Sequence, residues 1–328
     1  MTCVYHSLSR PLPHRARRFV PAAAKALALT LAVAGLACPL SAAVAAPYTA
    51  SLNITDDSGN AWSVDLGSVL SYNSSTGAVS MDYGSTPSSN WSWTNSQGAP
   101  IMVGVTDSTG KVTQEQGVQW HSSDMNPDGS WKSLVTFFAT GNTDPVLSYG
   151  FTARNATAST QNYSFTYGEA ASPSVTGSYS LYADIAGSIT NAVNGTPAMI
   201  APVSPNTKIQ NLSLSTDGGA TLFDGGVDVG PAGSTFPTIG TNTGTVTYGV
   251  FSSTLTGMTS TPLDFWQFQT SFSLTGGKDV ASLSGFADLE QNVETSIPEP
   301  ATCAALIGAL ALGAAALRRR KTAGLLKL

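Results

Sequence analysis

The sequence predicts an all-β protein: an antiparallel β-sandwich or jelly-roll-like body between two terminal segments of different character. Two observations predict the body. Apolar and polar residues alternate with a period of two, and turn-forming residues recur at intervals of roughly 8–14 residues, without a sustained helical stripe. Each terminal segment contains an apolar run instead, so we expect an N-terminal signal helix and a single C-terminal transmembrane helix.

The first predicted hairpin shows both signals of the body. Leu52 and Ile54 alternate with polar residues, the segment 56–60 (DDSGN) supplies a turn, and Trp62 and Val64 alternate on the return. Asp and Asn beside Gly supply the positive φ angles of tight hairpin turns. Repetition of such units predicts antiparallel strands paired in a sandwich.

Four segments follow from these patterns. We expect a signal peptide over residues 1–45, the β-sandwich body over 46–296, a sorting and anchor segment over 297–321, and a short basic tail over 322–328. No linker in the body is long enough to force a division, which favours one sandwich. A split near Pro197 into two smaller sandwiches is the alternative.

Charge is sorted by region along the chain. Ten of the 15 Lys and Arg residues lie in the first 25 or the last eleven positions. Five basic residues therefore face all 20 acidic residues in the remainder, a net charge near −15. Because nucleic acid binding needs clustered basic residues to neutralise phosphates, this balance argues against nucleic acid as a partner. It is typical of a solvated extracellular protein.

Cysteine is confined to the ends of the chain. Cys3, Cys38 and Cys303 all lie outside the body. The body therefore has no disulfide framework, no CxxC redox motif, no cysteine zinc site and no cysteine nucleophile. Its roughly 250 residues are enough to form a hydrophobic core without disulfides.

The N-terminal segment has the order of a secretory signal. A basic stretch ending at Lys25 precedes the apolar run 26–38, and small residues follow. Ala43 and Ala45 satisfy the small-x-small cleavage rule, which predicts a mature chain that begins at Ala46. The secretion machinery is the partner that this order implies.

The C-terminal segment carries a more specific combination. Pro298, Glu299 and Pro300 precede seventeen uncharged residues, 301–317, and a basic cluster follows, made up of Arg318, Arg319, Arg320 and Lys321. Seventeen residues make about 25 Å of helix, the short end of what spans a bilayer. The basic cluster is expected to hold its end of the helix on the cytoplasmic side. The Pro-Glu-Pro peptide cannot continue the helix, so it is expected to be extended and accessible to a protease.

This order resembles the PEP-CTERM sorting signal. The resemblance covers about residues 297–321 and implies recognition by a membrane transpeptidase-like enzyme, the exosortase, which cuts at the Pro-Glu-Pro motif. It implies an exported protein that is anchored transiently in the inner membrane and then passed to the cell surface or extracellular matrix. Extracellular polysaccharide is then a candidate partner. A plain C-terminal membrane anchor is the alternative.

Few residues in the body suit catalysis. His121 is its single histidine, and the chain has no GxSxG, HExxH or P-loop motif. We therefore expect a non-enzymatic protein without a cofactor. A pair of carboxylates that hydrolyses glycans is not visible in sequence spacing, so a secreted glycan hydrolase is kept as an alternative.

One loop has a metal-like pattern. Asp124, Asn126 and Asp128 alternate and Gly129 follows, as in loops that direct oxygen atoms at Ca²⁺. Val135 occupies the twelfth position of this loop, where calcium-binding loops have a bidentate Glu. This difference favours the alternative of an Asx-rich hairpin turn. Calcium is therefore a secondary hypothesis for this loop.

All six tryptophans lie in the body. Trp91 and Trp93 share one face of a predicted strand, where two indole rings form a platform for sugar rings. Aromatic residues more often fill a sandwich core, and the sequence favours that use. A carbohydrate-binding module is accordingly the first alternative to a surface or matrix protein without a ligand site.

Overall fold

The computed structural model of the protein describes residues 48–85, 88–106, 111–231 and 238–292. The prediction of an all-β, antiparallel protein is confirmed within these ranges. Within the described ranges the helical element is the 3₁₀ turn Leu66–Val69. The described residues contain no helix that is long and apolar enough to cross a membrane. The expected signal helix and transmembrane helix lie outside the described residues.

Seventeen strands are described, and most follow the predicted alternation of buried and exposed side chains. They are β1 (Tyr48–Asp56), β2 (Ala61–Asp65), β3 (Leu70–Asn73), β4 (Ala78–Met81), β5 (Trp91–Ser92), β6 (Met102–Thr106), β7 (Val112–Gln116), β8 (Val118–His121), β9 (Ser133–Asn142), β10 (Val146–Asn155), β11 (Gln161–Asn191), β12 (Ala198–Pro202), β13 (Gln210–Ser215), β14 (Phe223–Val229), β15 (Thr238–Ile239), β16 (Gly244–Leu274) and β17 (Asp279–Gln291).

Two long strands, β11 and β16, pair with each other and belong to two layers. In the first layer, residues 161–170 of β11 lie between β1 and the C-terminal part of β16, giving the order β2-β1-β11-β16-β13-β14. In the second layer, residues 179–190 of β11 lie between the N-terminal part of β16 and β17. The order there is β16-β11-β17-β10-β9, and β9 continues both to β4-β3 and to β8-β5.

The passage between the layers is marked by irregular pairing. The register of β11 against β16 shifts between Ala170 and Val175, and again before Gly177. Pro173 falls within this interruption, which suits a residue that has no N–H to donate to a neighbouring strand. Such shifts bend a strand and let it leave one layer for the other.

The core lies between the inner faces of the two layers. The ring centroids of Tyr149 and Phe268 are 4.8 Å apart, and those of Phe137 and Phe165 are 5.1 Å apart. The Tyr149 hydroxyl group, carried by the second layer, donates to Gln210 Oε1 of the first layer at 3.0 Å. One hydrophobic cluster contains buried residues from β1 to β17. This packing of two antiparallel layers is consistent with a β-sandwich.

A separate hairpin of β6 and β7 covers the outer face of the second layer. Glycine at position 150 of β10 allows this contact, because a Cβ there would lie 2.4 Å from the carbonyl oxygen of Gly104 and 2.6 Å from a methyl group of Val103. Val103 and Val105 of the hairpin are buried against the layer.

Candidate functional site

A cleft of about 720 Å³ opens between β2 of the first layer and β5 and β8 of the second layer. Two of its walls carry indole rings, from Trp62 on one side and from Trp91 and Trp120 on the other. Trp62 and Trp91 are half-buried and pack against the core, whereas Trp120 is buried. The remaining lining residues are mainly small and hydroxylated: Ala61, Ser63, Val64, Asp65, Ser68, Ser85, Ser88, Asn90 and Ser123. We name this site the tryptophan cleft.

One wall of the tryptophan cleft is a short two-strand ladder. Trp91 of β5 lies opposite Trp120 of β8. Asn90 extends the ladder, because its Nδ2 donates to the carbonyl oxygen of His121 at 2.9 Å and its carbonyl oxygen accepts from the His121 N–H at 3.0 Å. Trp91 is therefore held by backbone pairing on a strand, which limits the entropy lost when a ligand binds.

The other wall is the end of the first predicted hairpin. Trp62 pairs with Ile54 of β1, and Val64 two residues later is buried. The carboxylate of Asp65 accepts a hydrogen bond from the Gly67 N–H at 2.9 Å and so caps the 3₁₀ turn. The turn brings Ser68 into the lining, where its hydroxyl group donates to the Asp65 carbonyl oxygen.

The composition of the tryptophan cleft limits its chemistry. Among the described lining residues, Asp65 is the one charged side chain, and its carboxylate is engaged as a helix cap. Hydrolysis of a glycosidic bond needs two carboxyl groups about 5–10 Å apart. Flat apolar rings beside several hydroxyl groups suit a neutral ligand that has both apolar faces and many hydroxyl groups. The arrangement of the described lining residues suits the binding of such a ligand.

Comparison with known proteins gives no family. No protein-family model matches this chain, and no curated protein matches it.

The predicted pair Trp91 and Trp93 is divided by the structure. Trp91 lines the tryptophan cleft, whereas the indole N–H of Trp93 donates to the Ser85 carbonyl oxygen at 3.1 Å and its ring stands edge-on to Tyr83 at 5.3 Å. The strand ends at Ser92, so the two indoles do not continue one flat face. Trp62, on the opposite wall, lines the same cleft as Trp91, whereas Trp93 does not.

The loop proposed for calcium is a hairpin turn in the structure. Asn126 donates through Nδ2 to the Ala156 carbonyl oxygen at 2.9 Å, and Gly129 has a φ of 78°. Asp128 accepts from the Ser130 N–H at 2.9 Å and forms an ion pair of 2.8 Å with Lys278. These hydrogen bonds, above all that with Lys278, hold the pKa of Asp128 below its usual range.

Asp124, the first member of that loop, lies 3.9 Å from the Lys132 ammonium group. No group of three or more acidic, histidine or cysteine side chains suited to a metal occurs among the described residues. Nearby, the ring of His121 stacks on Trp131 at 3.7 Å, and its Nδ1 lies 3.0 Å from the Ser122 carbonyl oxygen.

The remaining predicted sites lie outside the described residues. These are the cleavage residues Ala43, Ala45 and Ala46, the motif Pro298, Glu299 and Pro300, and the basic cluster Arg318, Arg319, Arg320 and Lys321.

Two carboxyl groups with strongly raised pKa values lie away from the tryptophan cleft. Burial raises the pKa of Glu169 to about 8, although the Tyr167 hydroxyl group donates to its Oε2 and lowers the pKa in part. Burial, and then the charges of Glu290 and Asp144, raise the pKa of Asp288 to about 6. Glu169 belongs to the core and Asp288 to β17, so neither supplies a second carboxylate to the cleft.

Proposed function

We propose that this protein is exported, held briefly in the inner membrane by its C-terminal segment, and then cleaved at Pro298–Pro300 by an exosortase-type enzyme. The single observation that carries this proposal is the order of the C-terminal residues: Pro-Glu-Pro, an uncharged run of seventeen residues, and a basic cluster. The order of a secretion signal at the other end of the chain supports it.

Each part of this order has a physical task in the proposal. The signal segment directs the chain across the membrane, and the uncharged run stops its transfer. The basic cluster keeps the far end cytoplasmic, so Glu299 is exposed on the outer side. Cleavage there releases the body to the cell surface or the extracellular matrix.

The composition and fold of the body are compatible with an extracellular location. It is acidic, free of cysteine and built from antiparallel strands around a large aromatic core. We propose that it forms one β-sandwich or jelly-roll-like unit, whose charge keeps it soluble and whose core needs no disulfide.

Mass spectrometry of the mature C-terminus, with and without the sorting enzyme, tests sorting. We expect a new C-terminus at residues 298–300 only when the enzyme is present. Glu299→Gln is expected to slow this cleavage, and Glu294→Gln, five residues upstream, is the matched control. A C-terminal peptide that stays intact in both strains would show a plain membrane anchor instead.

The tryptophan cleft favours a second, compatible function for the body, the binding of a neutral glycan. Its two half-buried indoles, Trp62 and Trp91, offer apolar faces of the size of a sugar ring, and the serine side chains around them offer hydroxyl groups for hydrogen bonds. Extracellular polysaccharide is the source of such glycans that an exported protein meets first.

Glycan-array screening followed by titration calorimetry tests this binding. We expect Trp62→Ala and Trp91→Ala each to weaken binding by at least about tenfold, or about 1.4 kcal/mol. Tyr179→Ala is the control, because Tyr179 is a half-buried aromatic residue that packs against the core outside the tryptophan cleft. Equal losses for all three variants would indicate damage to the core, and absence of any glycan hit would refute the function.

A secreted glycan hydrolase is the remaining candidate, and Asp65 is the residue on which it depends. We expect purified protein to release no reducing sugar from the glycans that it binds. Release of sugar that is abolished by Asp65→Asn, with binding retained, would establish the hydrolase instead.

A further inference from the structure

The second layer ends in an unusually long free edge. Residues 244–259 of β16 pair with β11 along one side. On the other side, β12 and β13 pair only with residues 265–274 of β16. No described strand pairs with the second side of residues 244–262, which we name the free edge. Among the described residues, the backbone N–H and C=O groups on this side have no strand partner, which is the arrangement that accepts another strand.

The side chains of the free edge are exposed and uncharged. Tyr248 is its one buried residue, while Val250 is 53% and Met258 is 84% exposed. No Asp, Glu, Lys or Arg occurs between positions 244 and 262. Thr, Val, Tyr and Phe dominate the segment, and these residue types favour pairing in sheets.

Other edges of the two layers are protected in ways that the free edge is not. β14 is short and carries Asp224 and Asp228, and β3 has four residues. Charge and short length are the usual means by which proteins prevent unwanted pairing of strands. A strand of this length without either is suited to pairing with a partner.

We propose that the free edge pairs antiparallel with the free edge of a second copy of this chain. A second copy fits this edge because the segment has no charged residue, so self-pairing brings no like charges directly opposite each other, whereas the acidic remainder of the body repels a second copy. Antiparallel pairing about a two-fold axis presents the same neutral residues from both sides and joins the second layers of two copies into one continuous sheet.

Disulfide cross-linking of the full-length chain in detergent tests the geometry. Single cysteines are placed at successive positions from 246 to 258, after Cys3, Cys38 and Cys303 have been replaced by Ser. In symmetric antiparallel pairing, only a residue near the two-fold axis lies opposite the same residue of the second copy. We therefore expect the yield of cross-linked dimer to peak at one position and to fall at positions on either side. Met125→Cys, an equally accessible site elsewhere, is the control. No cross-link in the segment, or equal cross-linking at all positions and at 125, would overturn the proposal.

Charge substitutions test the energetics by sedimentation equilibrium. We expect the double variant Val250→Lys, Met258→Lys to raise the dimer dissociation constant at least about tenfold, since lysine side chains on an edge strand oppose its pairing with another strand. The control Met102→Lys, Met125→Lys introduces the same number of lysines at residues that are each 50% exposed and lie outside the free edge. Equal dissociation constants for the two double variants, or a wild-type protein that stays monomeric, would overturn the proposal. Unchanged melting temperatures verify that the variants are folded.

Discussion

The buried carboxyl group of Glu169 makes the stability of this protein depend on pH. Glu169 has no exposed surface, and its Oε2 accepts a hydrogen bond from the Tyr167 hydroxyl group. The Oε1 atom of Glu169 and the indole nitrogen of Trp266 are both buried, and neither has a hydrogen-bond partner that meets the usual distance and angle limits among the described residues. Burial without a cation among its described neighbours favours the protonated acid, which raises the pKa of Glu169 from 4.5 to about 8.

The sign of the effect follows from which state holds the proton. Below pH 4.5 both the folded and the unfolded chain have a protonated Glu169, and the contribution of the buried acid to stability is fully present. Between pH 4.5 and about 8 the unfolded chain loses this proton while the folded chain keeps it, so stability falls as pH rises. At roughly 1.4 kcal/mol per pH unit, the loss amounts to about 5 kcal/mol.

Glu169→Gln removes this titration, because an amide of the same size stays neutral. Urea unfolding from pH 5 to 8.5 is expected to show that the wild-type protein loses stability relative to the variant, with most of the roughly 5 kcal/mol difference developed by pH 8. Asp57→Asn, at an exposed aspartate in the turn at 56–60, is the control for the loss of one carboxylate. Parallel profiles for wild type and Glu169→Gln would refute the argument that this acid is protonated in the fold.

Three further predictions concern the packing of the layers and the loop at 124–129. Tyr149→Phe removes two hydrogen bonds of 3.0 Å to the first layer and is expected to lower the free energy of unfolding by about 1–3 kcal/mol in urea titrations; no loss would mean that water replaces the hydroxyl group. Gly150→Ala is expected to lower the free energy of unfolding by about 1–3 kcal/mol, because the new Cβ atom would clash with the Gly104 carbonyl oxygen. An unchanged free energy of unfolding would show that the hairpin of β6 and β7 does not pack on this face. Millimolar calcium is expected to shift the melting temperature by less than about 1 °C, since the loop already has protein partners; a larger shift would establish a calcium site.

Local patterns predicted the strands of this protein but not how they pair. The turn at 56–60 forms as expected: the Asp56 carboxylate accepts from the Ser58 N–H at 3.0 Å, and Gly59 has a φ of 82°. That residues 161–191 run as one strand through both layers was beyond such reasoning. Pairing across this length depends on contacts far apart in sequence, and Pro173 in its middle locally favours a break.

The candidate site was predictable only in part for the same reason. Trp91 was identified because it lies near Trp93 in the sequence, yet its neighbour in the tryptophan cleft is Trp62, on a strand of the other layer. The alternation in β2 places Trp62 and Val64 on the same face, but no local signal indicates which strand faces them. Contacts between layers are set by the fold as a whole, so a site at their junction appears only in three dimensions.

The tryptophan cleft and the free edge lie at opposite edges of the second layer, whose order runs from β16 through β9 to β8 and β5. Two copies paired through their free edges therefore leave both clefts open at the outer edges of the joined sheet. On the proposed glycan binding, we expect a long polysaccharide to engage two clefts at once, with the second contact strengthened by its high effective concentration. Val250→Lys with Met258→Lys is accordingly expected to weaken binding to a polymeric glycan by about tenfold or more while leaving the affinity for a short oligosaccharide unchanged. Trp91→Ala should weaken both. If the charge variant instead lowered both affinities equally, the free edge would be acting on the cleft itself rather than on the number of clefts that one polymer reaches.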